Sequence, residues 1–291
     1  MAIIPQIEVR TPMVKGIIAL DIDGTLVTQH QPLSPNLASF LGDVHAEGWV
    51  ILFATGRTIR WSMEHLASLP FPFYLAPYNG ACLFSFPQKE VIASALLDHS
   101  DVMKLSAFIG LFGAVIYEAG GEERIFYTAR RFSGMILEHL RSRQEQQKEE
   151  WIAIDTLSRL PRIRVAGVRF FLSPEAALML GETITDTTSL LAPTMKDAFN
   201  TDLRVIQVTA PGASKGQSLR ALRKHYPEVK AIAAGDDMND IDLLEEADIG
   251  IAMASAPDAL KKVSTLVAPS SGEDPIIEAL RQAIAKNEVV C

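Results

Sequence analysis

The sequence predicts an α/β fold, a doubly wound parallel sheet with a separate α+β unit inserted into it. Three observations carry this. The unbroken apolar runs GIIAL at Gly16–Leu20 and WVILFA at Trp49–Ala54 read as strands covered on both faces. Helix signals separate such runs. The rhythm then lapses between residues 84 and 211 and resumes after that stretch.

The elements follow in order. After the first strand, Ser34 and Pro35 mark a helix start, Leu37, Phe40, Leu41 and Val44 its apolar face, and Gly48 its stop. The second strand ends in Thr55-Gly56-Arg57. A further helix leads to a third strand at Phe73–Ala76, which ends near Asn79-Gly80. The insert reads as paired strands, Val115–Glu118 and Ile125–Tyr127, flanking a Gly120-Gly121 turn, then a helix over 132–150 with a charged, solvated end. A strand over 164–172, a helix over 175–185 and a strand over 203–209 complete it. Beyond it, Ser214 caps a helix, and strands over 231–234, 249–253 and 265–268 precede a final helix over 274–286. The expected division is a core of residues 1–83 and 212–291 around a unit of residues 84–211.

Composition narrows the function. The 291 residues are 48% hydrophobic and 21% charged, which argues for a packed globular chain rather than a disordered one. A net charge of −8 makes nucleic acid and anionic membrane poor partners. Cys82 and Cys291 form no metal or redox spacing, so they read as a buried thiol and a terminal one in a reducing compartment. No run approaches the ~20 apolar residues of a membrane helix, and the MAIIPQIEVRTPMVK start lacks a signal-peptide pattern. The expectation is a cytoplasmic protein.

In an open parallel sheet, ligands bind beyond the carboxyl ends of the strands. Those positions carry Asp21-Ile22-Asp23-Gly24-Thr25, Thr55-Gly56-Arg57, Ser214-Lys215-Gly216 and Gly235-Asp236-Asp237-Met238-Asn239-Asp240. Asp21 and Asp23 fall on one side of an extended chain, and such close like charges call for a cation. Taken alone, each piece also reads as ordinary structure: an Asp-capped turn, a helix start favouring acids, a strand-to-helix turn, a solvated lysine. Together they fit one chemistry. Carboxylates suit Mg²⁺, a hydroxyl and N–H groups at a helix start suit phosphate, and a lysine supplies charge for phosphoryl transfer.

DIDGTL, TGR, SKG and GDDMND, in that order, resemble the motifs of the haloacid dehalogenase superfamily, and the insert resembles the cap of its Cof-type, class IIB branch. NGA at Asn79 and VTAPGASKG before the later helix are similar to that branch too. Where the branch often has MGNA, this chain has Met253-Ala254-Ser255-Ala256, so no asparagine stands there. The resemblance implies a Rossmann-like core and a Mg²⁺-dependent phosphatase for a small phosphorylated metabolite, such as a sugar phosphate, nucleotide or cofactor phosphate. It implies Asp21 as nucleophile, forming an aspartyl-phosphate, and Asp23 as acid and base. It implies metal held around Asp21, Asp23, Asp236 and Asp240, and phosphate held by Thr55, Gly56, Lys215, Asn239 and Asn79. The cap would select the leaving group, with Arg124, Arg130, Arg131 and Arg169 as candidate contacts to a second anion. Each of these also reads as a surface charge or salt-bridge partner, and Phe126, Tyr127 and Phe170 as core. A phosphomutase or phosphotransferase, and a non-catalytic phosphate binder, are the alternative readings. A monomer or small homo-oligomer is expected.

Overall fold

The computed structural model describes residues 14–27, 32–119, 123–147, 149–197, 199–200, 202–272 and 274–289. The chain start, the Gly120-Gly121 turn and Cys291 lie outside the described residues.

The core builds in chain order from β1 (Gly16–Leu20), α1 (Pro35–Ala46), β2 (Trp49–Ala54), α2 (Ile59–Leu66), β3 (Phe73–Ala76), β4 (Cys82–Phe86) and β5 (Glu90–Ser94). The chain then leaves for α3 (His99–Lys104), α4 (Ser106–Phe112), β6 (Val115–Glu118), β7 (Ile125–Tyr127), α5 (Gly134–Gln147), β8 (Trp151–Ala153), β9 (Val165–Leu172), α6 (Pro174–Thr188), β10 (Thr194–Lys196) and β11 (Arg204–Val208). It returns through α7 (Lys215–Arg223), β12 (Lys230–Gly235), α8 (Ile241–Glu246), β13 (Ile249–Ala252), α9 (Asp258–Val263), β14 (Leu266–Val267) and α10 (Pro275–Val289).

Two sheets result. The eight-stranded sheet has the order β14-β13-β12-β1-β2-β3-β4-β5, and the six-stranded sheet β10-β11-β9-β6-β7-β8. β1 is parallel to both its neighbours, β12 and β2. The chain therefore winds away from β1 in both directions, and the switch point lies at its carboxyl end.

Apolar runs become strands here because both faces are covered. Ile18 and Leu20 pack on one face with Leu37 and Leu41 of α1 and Ile276 and Leu280 of α10. Ile17 and Ala19 pack on the other with Leu219 and Leu222 of α7 and Leu243 and Leu260 beyond. The expected helix start at Ser34 is present: its Oγ accepts from the Leu37 N–H at 3.0 Å, with Pro35 at the first position.

One region differs from the sequence reading. β4 and β5 pair antiparallel, β4 onto β3 and β5 onto β4, so the segment through Ser94 belongs to the large sheet. The break in rhythm after Asn79 marks a reversal of strand direction, which a tight turn can make, whereas a parallel partner would need a long crossover. The second sheet and its helices enclose a separate apolar core around Val115, Val168, Phe170 and Ile206. Among the described residues no helix is long and apolar enough to cross a membrane.

Candidate active site

Asp21 extends the β1 ladder, donating its N–H to Ala234 O at 3.0 Å, so its side chain leaves the sheet at the switch point. The chain then turns. Gly24 has φ +79°, and a Cβ there would run into the Asp236 carboxylate. Only glycine lets the Asp21–Asp23 loop close on the acidic loop across the sheet.

Asp23 stands beside Asp21 and is gripped by Arg57. The guanidinium donates from Nε to Oδ2 at 2.8 Å and from Nη2 to Oδ1 at 2.6 Å. This forked pairing fixes the carboxylate plane as well as its position. Arg57 itself is buried, and its Cζ lies 4.0 Å from the centre of the Trp61 ring.

Thr55 is fully buried at the end of β2, and its Oγ1 accepts from the Arg57 N–H at 3.1 Å. That bond uses the oxygen as acceptor and leaves its hydrogen free to donate. The turn around Asn79 buttresses this loop from behind. Asn79 donates its N–H to Thr55 O at 2.8 Å, and Tyr78 donates to Arg57 O at 2.8 Å. The Asn79 side chain accepts from Asn239 Nδ2 at 3.0 Å. Asn79 thus joins the two loops from behind the cavity wall, whereas Asn239 lines the cavity.

Ser214 caps α7 through Gln217 N–H at 3.2 Å, which sets Lys215 at the first helical position. Lys215 is 1% exposed and donates to Asp21 Oδ1 and to Asp240 Oδ1, each at 2.6 Å. The sequence placed a cation against the helix dipole; the two carboxylates explain it. Asp240 is held on both oxygens, its Oδ2 accepting from the Asp236 and Asp237 N–H groups at 3.0 Å each.

The electrostatics are those of an excess of buried negative charge. Burial pushes the Asp21 carboxyl well above its ordinary range; Lys215 pulls the other way, and Asp240, Asp236 and Asp23 add to the rise. Asp236 is pushed up to about 7 by burial and by Asp240 and Asp237. Burial alone would lower Lys215, but Asp21 and Asp240 outweigh it and hold the ammonium charged. Carboxylate oxygens of Asp21, Asp236 and Asp240 lie within 4.8 Å of one another. One ammonium does not balance them, and an all-oxygen set of this kind fits a hard divalent cation.

Asp21, Asp23, Lys215, Asp236 and Asn239 line the floor of a cavity of about 620 Å³ between the two sheets, and Thr55 and Asp240 lie behind it. Arg143, Arg169, Met195, Lys196 and Arg204 of the insert form its roof. Arg169 is buried and donates from Nε to Gln207 at 3.0 Å, from Nη1 to the Tyr117 hydroxyl at 3.1 Å, and from Nη2 to the Gly56 carbonyl. Lys196 donates its N–H to Asp237 Oδ2 at 3.0 Å.

The arrangement is a carboxylate pair and a buried lysine facing one cavity, with the Thr55 hydroxyl buried just behind its wall. The family model of haloacid dehalogenase-like hydrolases matches residues 18–280, nearly the whole described chain. This chain belongs to that family.

Relatives of this haloacid dehalogenase-like hydrolase are similar along most of their length. The 5-amino-6-(5-phospho-D-ribitylamino)uracil phosphatase YitU of Bacillus subtilis is 23% identical over 280 residues, 91% of this chain and 96% of the relative. The pyridoxal phosphate phosphatase YbhA of Escherichia coli is 24% identical over 285 residues, 91% of this chain and 97% of the relative. Among solved structures, a subclass IIB sugar phosphatase matches with a TM-score of 0.72 at 21% identity, covering 92% of this chain and 99% of that one. A haloacid dehalogenase-like hydrolase from B. subtilis matches at 0.75 and 18% identity, covering 91% and 99%. The chain is a haloacid dehalogenase-like hydrolase that shares the fold of these structures.

Of the cap arginines singled out in the sequence, only Arg169 lines the cavity. Arg124 is paired with Glu118 at 2.6 Å, Arg130 with Asp155 at 3.0 Å on the surface, and Arg131 is exposed. Phe126 and Phe170 are core, as expected. The sequence reading assigned no role to Arg57, Trp61, Arg143 or Asp197. Arg57 lay inside the TGR motif and carried a signal; Trp61, Arg143 and Asp197 come together only through the fold.

Proposed function

We propose that this enzyme hydrolyses a small phosphate monoester through a covalent aspartyl-phosphate on Asp21, with Mg²⁺ held by the Asp21 and Asp236 carboxylates and the Asp23 backbone carbonyl. The observation that carries the reading is Lys215, buried and bonded at once to Asp21 and Asp240. A structural lysine has no need of so costly a place.

Asp21 attacks phosphorus in line through its free oxygen, and the ester oxygen leaves. Asp23, oriented by Arg57, enters the first step in its protonated form and gives that proton to the leaving oxygen; the carboxylate so formed then takes a proton from the water that hydrolyses the intermediate. Thr55 Oγ1, the Gly56 N–H and Lys215 Nζ hold the non-bridging oxygens, where charge is spread in the transition state. Asn239 adds an amide on the same side. Asn79 and Asp240 act one step back, as struts for the two loops and for Lys215. When bound, Mg²⁺ offsets the repulsion between the carboxylate and the phosphate.

We divide the chain into a catalytic core, residues 14–94 and 212–289, and a cap, residues 95–211, following sheet membership. The cap excludes water and chooses the leaving group. The cationic roof and the cavity of about 620 Å³ favour a polar organic phosphate, such as a sugar or cofactor phosphate, over a large one.

The test is inorganic phosphate release from a panel of phosphate esters, with and without Mg²⁺, by the wild-type enzyme and Asp21→Asn. Mg²⁺-dependent release that the variant lacks is the expected result. Release by Asp21→Asn at the wild-type rate would overturn the covalent mechanism.

A further inference from the structure

Four side chains form one continuous stack across the boundary between core and cap. Arg57 Cζ lies 4.0 Å from the Trp61 ring centre. Trp61 stacks on Phe199 with centres 5.6 Å apart and planes inclined by 28°. Arg143 Cζ lies 4.6 Å from the Phe199 ring centre. Arg57 and Trp61 belong to the core, Phe199 and Arg143 to the cap.

Each end of the stack is pinned by a carboxylate. At the core end, Arg57 holds Asp23 through two bonds. At the cap end, Arg143 Nη1 donates to Asp197 Oδ2 at 2.8 Å. Asp197 Oδ1 in turn accepts from the Phe199 N–H at 2.8 Å and the Asn200 N–H at 2.9 Å. Asp197 and Arg143 are both buried, so Phe199 is presented from a fixed base.

Arg57 bonds Asp23 through Nε and Nη2 while its Cζ lies over the Trp61 ring, so one guanidinium carries both contacts and a shift of the indole would be felt at the fork. Trp61 is only half-buried and sits in the first turn of the eight-residue helix α2. Its ring also stacks on Phe199 of the cap. Phe199 belongs to the cap segment, so any lifting of the cap from the core would break this contact.

We infer that Phe199 is a positioning residue: by clamping Trp61 it sets the Arg57 fork that aims Asp23, so that proton transfer is competent only with the cap closed. The inference rests on the reading of Asp23 as the acid for the leaving group. Uncovered substrate would then meet a misaimed acid, and chemistry would wait for closure.

The experiment compares kcat/KM for phenyl phosphate and p-nitrophenyl phosphate, which are close in shape but whose leaving groups differ in their need for a proton. This ratio reports steps through departure of the leaving group. Four variants of the full chain are used: Asp23→Asn, Phe199→Ala, Phe199→Leu and Phe199→Tyr. The expected result is that Phe199→Ala and Phe199→Leu lose about tenfold on phenyl phosphate and less than about threefold on p-nitrophenyl phosphate, following Asp23→Asn in direction. Phe199→Tyr, which keeps the ring, restores the wild-type ratio. If Asp23→Asn separates the two esters but Phe199→Ala and Phe199→Leu lower both equally, the stack is merely structural and the inference is overturned while the reading of Asp23 stands. If Asp23→Asn does not separate them, the reading of Asp23 fails, and the inference with it.

Discussion

Lys215 and Asp21, 194 residues apart in the chain, meet with Nζ 2.6 Å from Oδ1, and neither is more than 3% exposed. The contact ties the amino end of α7 to the carboxyl end of β1, and so closes the core around the inserted cap. Removing the lysine leaves Asp21 and Asp240 facing each other in a buried space.

Lys215→Met should therefore act on rate and stability together. A loss of about 10²–10³ in kcat is expected if Lys215 stabilises the transferring group. A loss of about 3–5 kcal/mol in unfolding free energy is expected from the two uncompensated carboxylates. Phosphate release and urea unfolding of the metal-free protein check both. Divalent metal should recover part of the stability and little of the rate.

Arg57→Lys tests the fork. Lysine keeps the charge but offers a point contact where arginine gives two bonds and a face for Trp61. A fall in kcat of about tenfold or more is expected, with KM changed less, because the aim of Asp23 matters in the transition state more than in the bound complex. Steady-state kinetics on one ester suffices; a lysine variant at the wild-type kcat would mean that the bidentate geometry is dispensable.

Arg169 makes a different prediction. Its guanidinium reaches from β9 of the cap to the Gly56 carbonyl, in the loop that faces phosphate. Pulling that carbonyl toward the cap leaves the opposite side of the loop for substrate. Arg169→Met should weaken binding of the phosphate analogue vanadate several-fold, and isothermal titration of the Mg²⁺-loaded enzyme measures it. The spread to Gln207 and Tyr117 also predicts some loss of cap stability, visible as faster amide exchange in β9.

How much of this was legible beforehand differs between core and cap. The motif residues were readable because a parallel sheet forces its chemistry to strand ends, and Asp21, Thr55 and Asp236 sit at such ends, with Lys215 at the amino end of a helix. The hairpin of β4 and β5 was not, because CLFSF and EVIAS are short and mixed, and their direction is set by pairing rather than by composition. Asn79 carried a motif signal, but only the structure separates a strut from a contact. Phe199 and Trp61 carried no signal, since they stand 138 positions apart and an aromatic residue reads by default as core.

Cys82 offers a check on the core that does not depend on catalysis. Burial in β4, with Glu123 adding to it, pushes its thiol up to about 11. At pH 8 the reactive thiolate is then a small fraction, and access is closed as well. Alkylation of the peptide containing Cys82 should be slow in the native protein and should follow global unfolding in urea. Mass spectrometry of the digested protein reads this site apart from the second cysteine.

The last prediction concerns pH and metal. Asp236 is held near 7 in the metal-free protein by burial and its acidic neighbours. A divalent cation needs the ionised form, so it must displace a proton wherever Asp236 is protonated. Affinity for Mg²⁺ should thus fall by at least about tenfold for each unit below 7, with Asp236 releasing one proton per ion bound and Asp21, also shifted upward, adding to the fall where it is protonated. The stability sign is fixed by the same shift. A folded value above the unfolded one means that the contribution of Asp236 is fully present below about pH 4 and is lost as pH rises through about 7. On this account the metal-free enzyme loses stability between pH 6 and 8 at this site while the loaded enzyme does not, so the Tm gained on adding Mg²⁺ should grow over that interval. Calorimetric titrations at pH 6 and 8 and melting curves with and without metal test the two halves. Equal affinity at both values would show that Asp236 is already ionised at pH 6 and would remove it as the proton-coupled ligand.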